Sequence, residues 1–486
     1  MEKSSSMNTK YFINSAIAVA LMVCFRFIPP FGAMTPLGME LLGIFLGLLY
    51  AWITVDMIWP SIVGLVLIGF SGYVETGGVA AVLTSVVSNP VLQMLIWLFA
   101  FSAIIEITGL GAQLAKRLIG SKLCKGRPWL LSVFIFVAAA LVAALGNGIA
   151  AILLCWSFVY SISKQAGYTK ADKWPRMMVV AVLIAVVAGV ASMPFQAGVI
   201  GPFAYLYAAS GDAINSFNSF QYMVFGILYL VLLTAVFFLL LRVVFRPDMS
   251  RLATVDNQMD VEPFTTEQKV ALAAFVGLIL VVVLPSVLPA GNPLKAVLDQ
   301  IGLAGLTLLL IAVVTFLRNK EGKALVTFKQ LADAGIPWPA IFMIGTAIYT
   351  GTALASAGTG FTDTLLGLFS PMLAGTGATM FCVIIVLVTL ILTNIIANAP
   401  VTAIMIPVMY PFVAAMGVNP ILATVLVIVV SNAGVLLPSA SPNAAILYGN
   451  SEWVSAKDVW TFGGVGVASI GLVALLLIPI GGLIFV

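Results

Sequence analysis

Histidine is absent from the sequence, and with it the usual general base and the commonest metal ligand. The four cysteines, Cys24, Cys124, Cys155 and Cys382, lie mostly within apolar runs and never at CxxC spacing, which speaks against disulfides and thiolate metal centres. Charge is scarce as well: Lys, Arg, Asp and Glu make up 8% of the residues, against roughly 25% in a soluble globular domain. A water-soluble enzyme is excluded. No Ser/Lys or paired-Asp constellation falls within the apolar runs, so an intramembrane enzyme is disfavoured too. The net charge of +4 calls for no nucleic-acid partner, because Lys and Arg on cytoplasmic loops are what orient a membrane protein.

What fills the 486 residues is apolar: 62% are hydrophobic, with a mean hydropathy of +1.15. At about 20 apolar residues per bilayer crossing, this suffices for on the order of ten to thirteen embedded helices. The runs are long and uninterrupted, without the alternation that a membrane β-barrel needs. The reading is an all-α polytopic membrane protein: about eleven transmembrane helices plus a pair of re-entrant hairpins, arranged in two inverted repeats. Candidate helices fall near 11–29, 36–55, 57–73, 90–108, 129–163, 174–209, 221–245, 268–288, 301–317, 338–357, 374–416, 419–448 and 461–485. The stretch Glu75 to Asn89 is too short and mixed to cross. Met1 to Lys10 reads as a polar stub before a retained first span, with no cleavage site after it.

Basic residues come in blocks, and placing Lys3, Lys10, the 116–127 block, the 164–176 block, the 242–251 block and the 318–329 block in the cytoplasm puts the N-terminus inside. The run from Trp129 to Ser163 then has both ends in the cytoplasm. Its 35 residues (129 through 163) leave nothing for a turn between two crossings of about 17 residues, so a re-entrant hairpin is predicted, with its tip at Gly146-Asn147-Gly148. A second charge-free run, Ala374 to Met416, breaks at Ala397-Asn398-Ala399-Pro400, where Pro removes a backbone donor. An odd number of crossings between the runs makes the second hairpin enter from the opposite face.

The halves show weak internal similarity. After each hairpin comes a span carrying Ala-Gly-Val followed by a break: Ala188-Gly189-Val190 with Ser192-Met193-Pro194, and Ala433-Gly434-Val435 with Ser439-Ala440-Ser441-Pro442-Asn443. Paired interrupted helices in opposed halves are a sequence pointer to a transporter's midplane site. An unpaired peptide group in hydrocarbon costs several kcal/mol, so such breaks persist only where buried in protein or lining a wet cavity. Half-helix N-termini favour an anion. Freed carbonyls and amides, here at Asn147, Gly189, Asn398, Ser439 and Ala440, can coordinate sodium instead. The polar and ionisable residues at span ends, Arg26, Glu40, Asp56 and Glu106, read as structural anchors; Gly43 and Gly47 read as a packing motif; Trp59, Trp97, Trp174 and Trp338 read as interface anchors.

At these residues the chain resembles the divalent anion/sodium symporter family, which includes bacterial dicarboxylate transporters and mammalian citrate and sulfate carriers. The likeness extends to the Thr35-Pro36-Leu37-Gly38 opening and the Leu42 to Gly47 span. That family carries Ser-Asn-Thr at each hairpin tip and a Pro-Pro-Asn-like later break. Here Asn147 and Asn398 match the two Asn, Ser441-Pro442-Asn443 keeps the Asn of the break, and all four tip hydroxyls are replaced by Gly and Ala.

The resemblance implies a secondary active transporter of small anions, di- or tricarboxylates above all, that works as an elevator in a homodimer in the cytoplasmic membrane. The substrate would lie between Gly146, Asn147, Gly148, Ala397, Asn398, Ala399, Ser192, Pro194, Ser441, Pro442 and Asn443. Partners are then an anionic solute, membrane lipid and a second copy of the chain; no organic cofactor is called for, and sodium is the one ion in question. With the tip hydroxyls gone, sodium dependence weaker than the family norm is expected. A sodium-independent exchanger, a proton-coupled carrier, or a membrane subunit of a larger complex stay open as alternatives. The domain scheme is 1–89 scaffold spans, 90–245 first repeat with hairpin 129–163, 246–267 cytoplasmic linker, 268–337 scaffold spans, and 338–486 second repeat with hairpin 374–416.

Overall fold

The computed structural model describes residues 2–210, 218–255, 262–289, 291–319, 322–373 and 375–485; part of the expected 246–267 linker, 256–261, lies outside the described residues. All the regular elements in these segments are helices apart from one isolated bridge between Arg318 and Ala324, and 12 helices are long and apolar enough to cross a membrane. The sequence explains where many of them start. Thr35-Pro36, Asn89-Pro90, Asn292-Pro293, Asn419-Pro420 and Ser441-Pro442 each place a capping side chain before a proline at the first helical position. There the missing N–H costs nothing, and the cap satisfies the next orphan donors.

Along the first half the helices are α1 (Glu2–Cys24), α2 (Pro36–Thr54), α3 (Ile58–Phe70), the short α4 (Gly78–Val87), α5 (Pro90–Thr108), α6 (Leu110–Ile119), the hairpin α7 (Pro128–Leu145) and α8 (Gly148–Gln165), the broken pair α9 (Lys173–Ser192) and α10 (Ala197–Ser210), and α11 (Ser219–Leu240). The second half runs α12 (Thr266–Val287), α13 (Pro293–Phe316), the short α14 (Phe328–Gly335), α15 (Trp338–Ala355), α16 (Phe361–Leu373), the hairpin α17 (Ala378–Ile395) and α18 (Asn398–Ala415), the broken pair α19 (Pro420–Ser431) and α20 (Pro442–Gly449), a single turn α21 (Ala456–Asp458) and α22 (Gly464–Ile484). From α4 to α11 and from α14 to α22 the same kinds of element recur in the same order. The halves also interlock: α5 packs on α13 and α14, while α15 packs on α3 and α4.

The hairpins share one geometry. Each has two 18-residue arms around a two-residue turn, at 146–147 and at 396–397. The first hairpin thus spans 128–165 rather than 129–163, and its arms, at 1.5 Å per residue about 27 Å long, leave room for a turn after all. Pro400 does not break its helix. It sits in the first turn of α18, where no intrahelical N–H is required. The expected pairing of the two tip asparagines shifts accordingly: Asn147 is the cap before α8, whereas Asn398 is the first residue of α18, level with Gly148.

Other expectations are met or corrected by packing. Gly43 and Gly47 let α1 close on α2, a Cβ at Gly47 falling 2.7 Å from Ala18 O. Arg26 pairs with Glu40 at 3.7 Å, and Asp56 caps α3 through Ile58 N. Trp174 is no interface anchor. It is 1% exposed, and its indole donates to Ser132 Oγ at 3.0 Å, tying α9 to α7.

Helix α11 seals the first break. Tyr222 Oη donates to Ala191 O at 2.7 Å, and a Cβ at Gly226 would sit 1.9 Å from Ser192 O. Replacing Gly226 with Val is therefore expected to cost about 1–3 kcal/mol of stability, from overpacking against backbone that cannot yield. The check is a lowered midpoint of thermal unfolding in detergent, with Gly482→Val, which meets nothing within 4 Å, as the neutral comparison.

Candidate functional site

The breaks in α9/α10 and α19/α20, the first hairpin turn and the start of α18 meet around one cavity of about 550 Å³. Its wall includes Gly146, Asn147, Gly148 and Ile149 of the first hairpin, Gln196, Ala197 and Gly198 of the first break, Asn398 of the second hairpin, and Ser441, Pro442 and Asn443 of the second break. Helix α5 adds Phe99, Ser102 and Glu106, and the end of α14 adds Asp333. A smaller apolar cavity of about 180 Å³ adjoins it, sharing Gly198 and Asn398 and reaching Ala399, Thr402 and Ser431.

Four helix N-termini open onto the main cavity: α8 at Gly148, α10 at Ala197, α18 at Asn398 and α20 at Pro442. Each carries orphan N–H groups and partial positive charge. Asn147 caps α8, its Oδ1 accepting from Ile149 N at 2.8 Å and Ala150 N at 3.3 Å. With the oxygen so held, the amide nitrogen of this exposed residue turns away from the helix. From the other half Asn443 comes alongside: a Cβ on Gly148 would lie 3.9 Å from Asn443 Nδ2. Ser441 caps α20 by accepting from Ala444 N at 3.0 Å, and donates to Gly434 O at 2.7 Å.

Asn398 faces inward. One end of its carboxamide lies 3.0 Å from Ala440 O, 3.1 Å from Ser431 O and 3.0 Å from Thr393 Oγ1. Three acceptors fix the nitrogen at that end, where it donates. Gly434 is pressed against the same cluster, a Cβ there falling 2.3 Å from the Asn398 carboxamide and 2.6 Å from Thr393 O.

Not every predicted residue reaches the cavity. Ala397 is absent from the wall, and Ala399 lies in the adjoining space. Ser192 is buried and donates to Gly189 O. Pro194 lines a separate apolar crevice of about 430 Å³ with Pro90, Phe203 and Ile301. Gly189 is no freed backbone group: it lies within unbroken α9, close against Ala140 O, because the glycine of Ala-Gly-Val falls three residues before the end of α9 but after the end of α19. Ser439 is exposed and outside the wall, whereas Ala440 contributes its carbonyl to Asn398. Glu106, read as an anchor, stands exposed in the cavity wall.

Sequence reasoning missed Gln196, Thr393 and Asn394. Gln196 Nε2 donates to Ala143 O at 3.2 Å and Ala144 O at 2.6 Å. Asn394 Oδ1 accepts from Val435 N at 3.2 Å and Leu436 N at 3.1 Å. The signal was present, since each is an uncharged polar residue in an apolar run within a few positions of a break.

Among the described residues no Lys or Arg lines the cavity, and the two carboxylates Glu106 and Asp333 do. Asp333 is neutralised in part by Lys329 at 2.5 Å, both side chains being exposed. Anion attraction rests on backbone and amide N–H groups. At about 0.3–1 kcal/mol per helix end, and up to about 2 when partly buried, four ends supply a few kcal/mol.

Comparison with solved structures finds the same fold in two transporters. One is the Alcanivorax borkumensis YdaH transporter, described as having an unusual topology (TM-score 0.56, 16% identity, covering 83% of this chain and 88% of that one). The other is Neisseria gonorrhoeae MtrF, described as illuminating a class of antimetabolite efflux pumps (TM-score 0.57, 13% identity, 83% and 85% covered). No curated protein matches. The sequence profile of the citrate transporter family matches residues 47–431. A multi-pass helical chain whose broken helices converge on one cavity is thus a membrane transporter and not an enzyme, and it belongs to the citrate transporter family.

Proposed function

We propose that the chain carries citrate or a closely related small di- or tricarboxylate across the cytoplasmic membrane as a secondary active transporter. The observation that carries this reading is the convergence of Asn147, Asn443 and four helix N-termini on one cavity. Asn147 Nδ2 and Asn443 Nδ2, one from each half, donate to the solute carboxylates. The N-termini of α8 and α20 supply the positive ends of their dipoles. The recurring elements are read as inverted repeats, the hairpins as re-entrant, and the cavity, with Glu106 and Asp333 at its mouth, as the cytoplasm-facing state of an elevator. The N-terminus is then cytoplasmic, and the working unit is a homodimer.

The cluster beside Asn398 fits a cation. Rotating that carboxamide by half a turn would add Oδ1 to Thr393 Oγ1, Ser431 O and Ala440 O, and the Gly434 hydrogen leaves the space a Cβ would fill. A co-bound cation there offsets the charge that the two wall carboxylates oppose. Sodium and a proton are the two candidates for coupling. The loss of the tip hydroxyls keeps the expectation that sodium dependence is weaker than the family norm.

In proteoliposomes, saturable uptake of radiolabelled citrate is expected, and none of citrate, succinate or malate moving, with or without a cation gradient or counterflow, would overturn the substrate reading. Asn147→Ala should lower uptake at least tenfold while costing about 1 kcal/mol of stability through the lost cap. Asn147→Asp keeps the cap acceptor, so it should restore stability but leave uptake low, because a third carboxylate then faces the solute. A second measurement addresses the cation. Gly434→Ala is expected to abolish any sodium stimulation of uptake or of thermal stability; stimulation that survives the substitution puts the ion elsewhere.

A further inference from the structure

We infer that Gln196 is the positioning residue of the first hairpin tip, holding it against the first broken helix so that Asn147 faces the solute. Where α7 ends, Gly146 N still bonds Val142 O. The chain then turns, and the carbonyls of Ala143 and Ala144 lose the i+4 donors a continued helix would supply. Gln196 supplies the replacement from a different element: its Nε2 reaches Ala143 O and Ala144 O, while its own carbonyl accepts from Val199 N at 2.9 Å and Ile200 N at 3.0 Å to start α10. One residue therefore closes the end of the hairpin arm and opens the second half of the broken helix, at the cavity wall. The second half of the chain solves the same problem with the polarity reversed. There Asn394 projects from the hairpin arm and accepts from Val435 N and Leu436 N of the break, its Nδ2 returning to Leu390 O at 2.9 Å.

The role of Gln196 in solute binding rests on the carboxylate site proposed above, but its role in holding the tip does not. Both are tested on the full-length protein with the four native cysteines replaced. Spin labels on Ile149→Cys and Tyr207→Cys report the distance between the tip and α10 without any substrate. Q196L is expected to broaden that distance distribution. Q196E should broaden it at pH 8, where a carboxylate faces two carbonyl oxygens, and narrow it toward the unsubstituted form at pH 4.5, where the protonated acid donates again. Glu106 and Asp333 are the other titratable groups lining this cavity among the described residues, and the unsubstituted protein measured at both pH values removes their contribution. In the uptake arm, with citrate as probe, Q196L should raise KM about tenfold with the maximal rate within about twofold, and Q196E should approach the unsubstituted KM only at the lower pH. If Q196L fails to purify as a monodisperse species, the Q196E pH pair decides. A narrow distribution in Q196L, or a Q196E distribution indifferent to pH, overturns the assignment. If the unsubstituted protein moves no citrate, the substrate reading fails while the spin-label arm still decides the role of Gln196.

Discussion

The structure depends on one constraint: inside a hydrocarbon layer each peptide N–H and C=O needs a partner, so a helix cannot stop at mid-depth unless something else completes it. This chain interrupts its helices at two hairpin turns and two breaks, and at three of these the completing groups are side chains from another element. Tyr222 reaches Ala191 O, Gln196 reaches the end of α7, Asn394 reaches the backbone of the second break, Thr393 donates to Ser431 O, and Tyr448 donates to Leu436 O at 2.6 Å. Uncharged amides and hydroxyls fill this role, which is why so hydrophobic a sequence can still be interrupted. An Asn or Gln brings a donor and an acceptor without the cost of burying a charge.

Once the carbonyl ends are closed in this way, what remains open is selective. Four helix starts face the main cavity against one C-terminal end, that of α14, and the Asn147 and Asn443 amides and the Ser441 cap stand beside them. Carbonyl oxygens are gathered elsewhere, around Asn398 and Gly434. The site thus separates into a donor-rich space and an oxygen-rich corner. The two halves contribute unequally, because the turns match residue for residue while their side chains do not. Asn147 caps its own helix through Oδ1, whereas Asn398, one position later, is held by Ala440 O, Ser431 O and Thr393 Oγ1, although both line the cavity.

Much of this is legible in the order of residues alone. Long apolar runs point to the all-helical class, and Gly146-Asn147-Gly148 and the stretch after Ser431 mark real interruptions. Register is not legible in the same way. Ala-Gly-Val occurs in both halves, and matching the two copies aligns Gly189 with Gly434, yet α9 runs on for three residues past its glycine while α19 has already ended. Proline misleads for a similar reason. Pro400 and Pro442 look like breaks in a linear reading but occupy first turns, where they start helices. Trp174 shows the limit of composition: an indole near a span end suits the membrane interface, but its hydrogen bond to Ser132 is a tertiary fact. Gln196 and Asn394 escape a linear reading because their partners lie tens of residues away, and no local pattern reports a partner.

Fold and chemistry also part company in the comparisons. A likeness at 13–16% identity shows how the helices are arranged and leaves the solute to the residues. Here those residues pose a specific electrostatic problem. Helix ends supply a few kcal/mol toward a carboxylate, no Lys or Arg among the described residues adds to it, and Glu106 and Asp333 work against it. A fully ionised tricarboxylate entering alone would meet two like charges in the wall and otherwise only partial charges. The same wall suits an anion whose charge is reduced on the way in, by protonation or by an accompanying cation, because the carboxylates then attract the compensating charge while the helix ends hold what they can neutralise. The scarcity of charge that first set this sequence apart thus reappears at its centre, where uncharged amides and helix starts outnumber the two carboxylates.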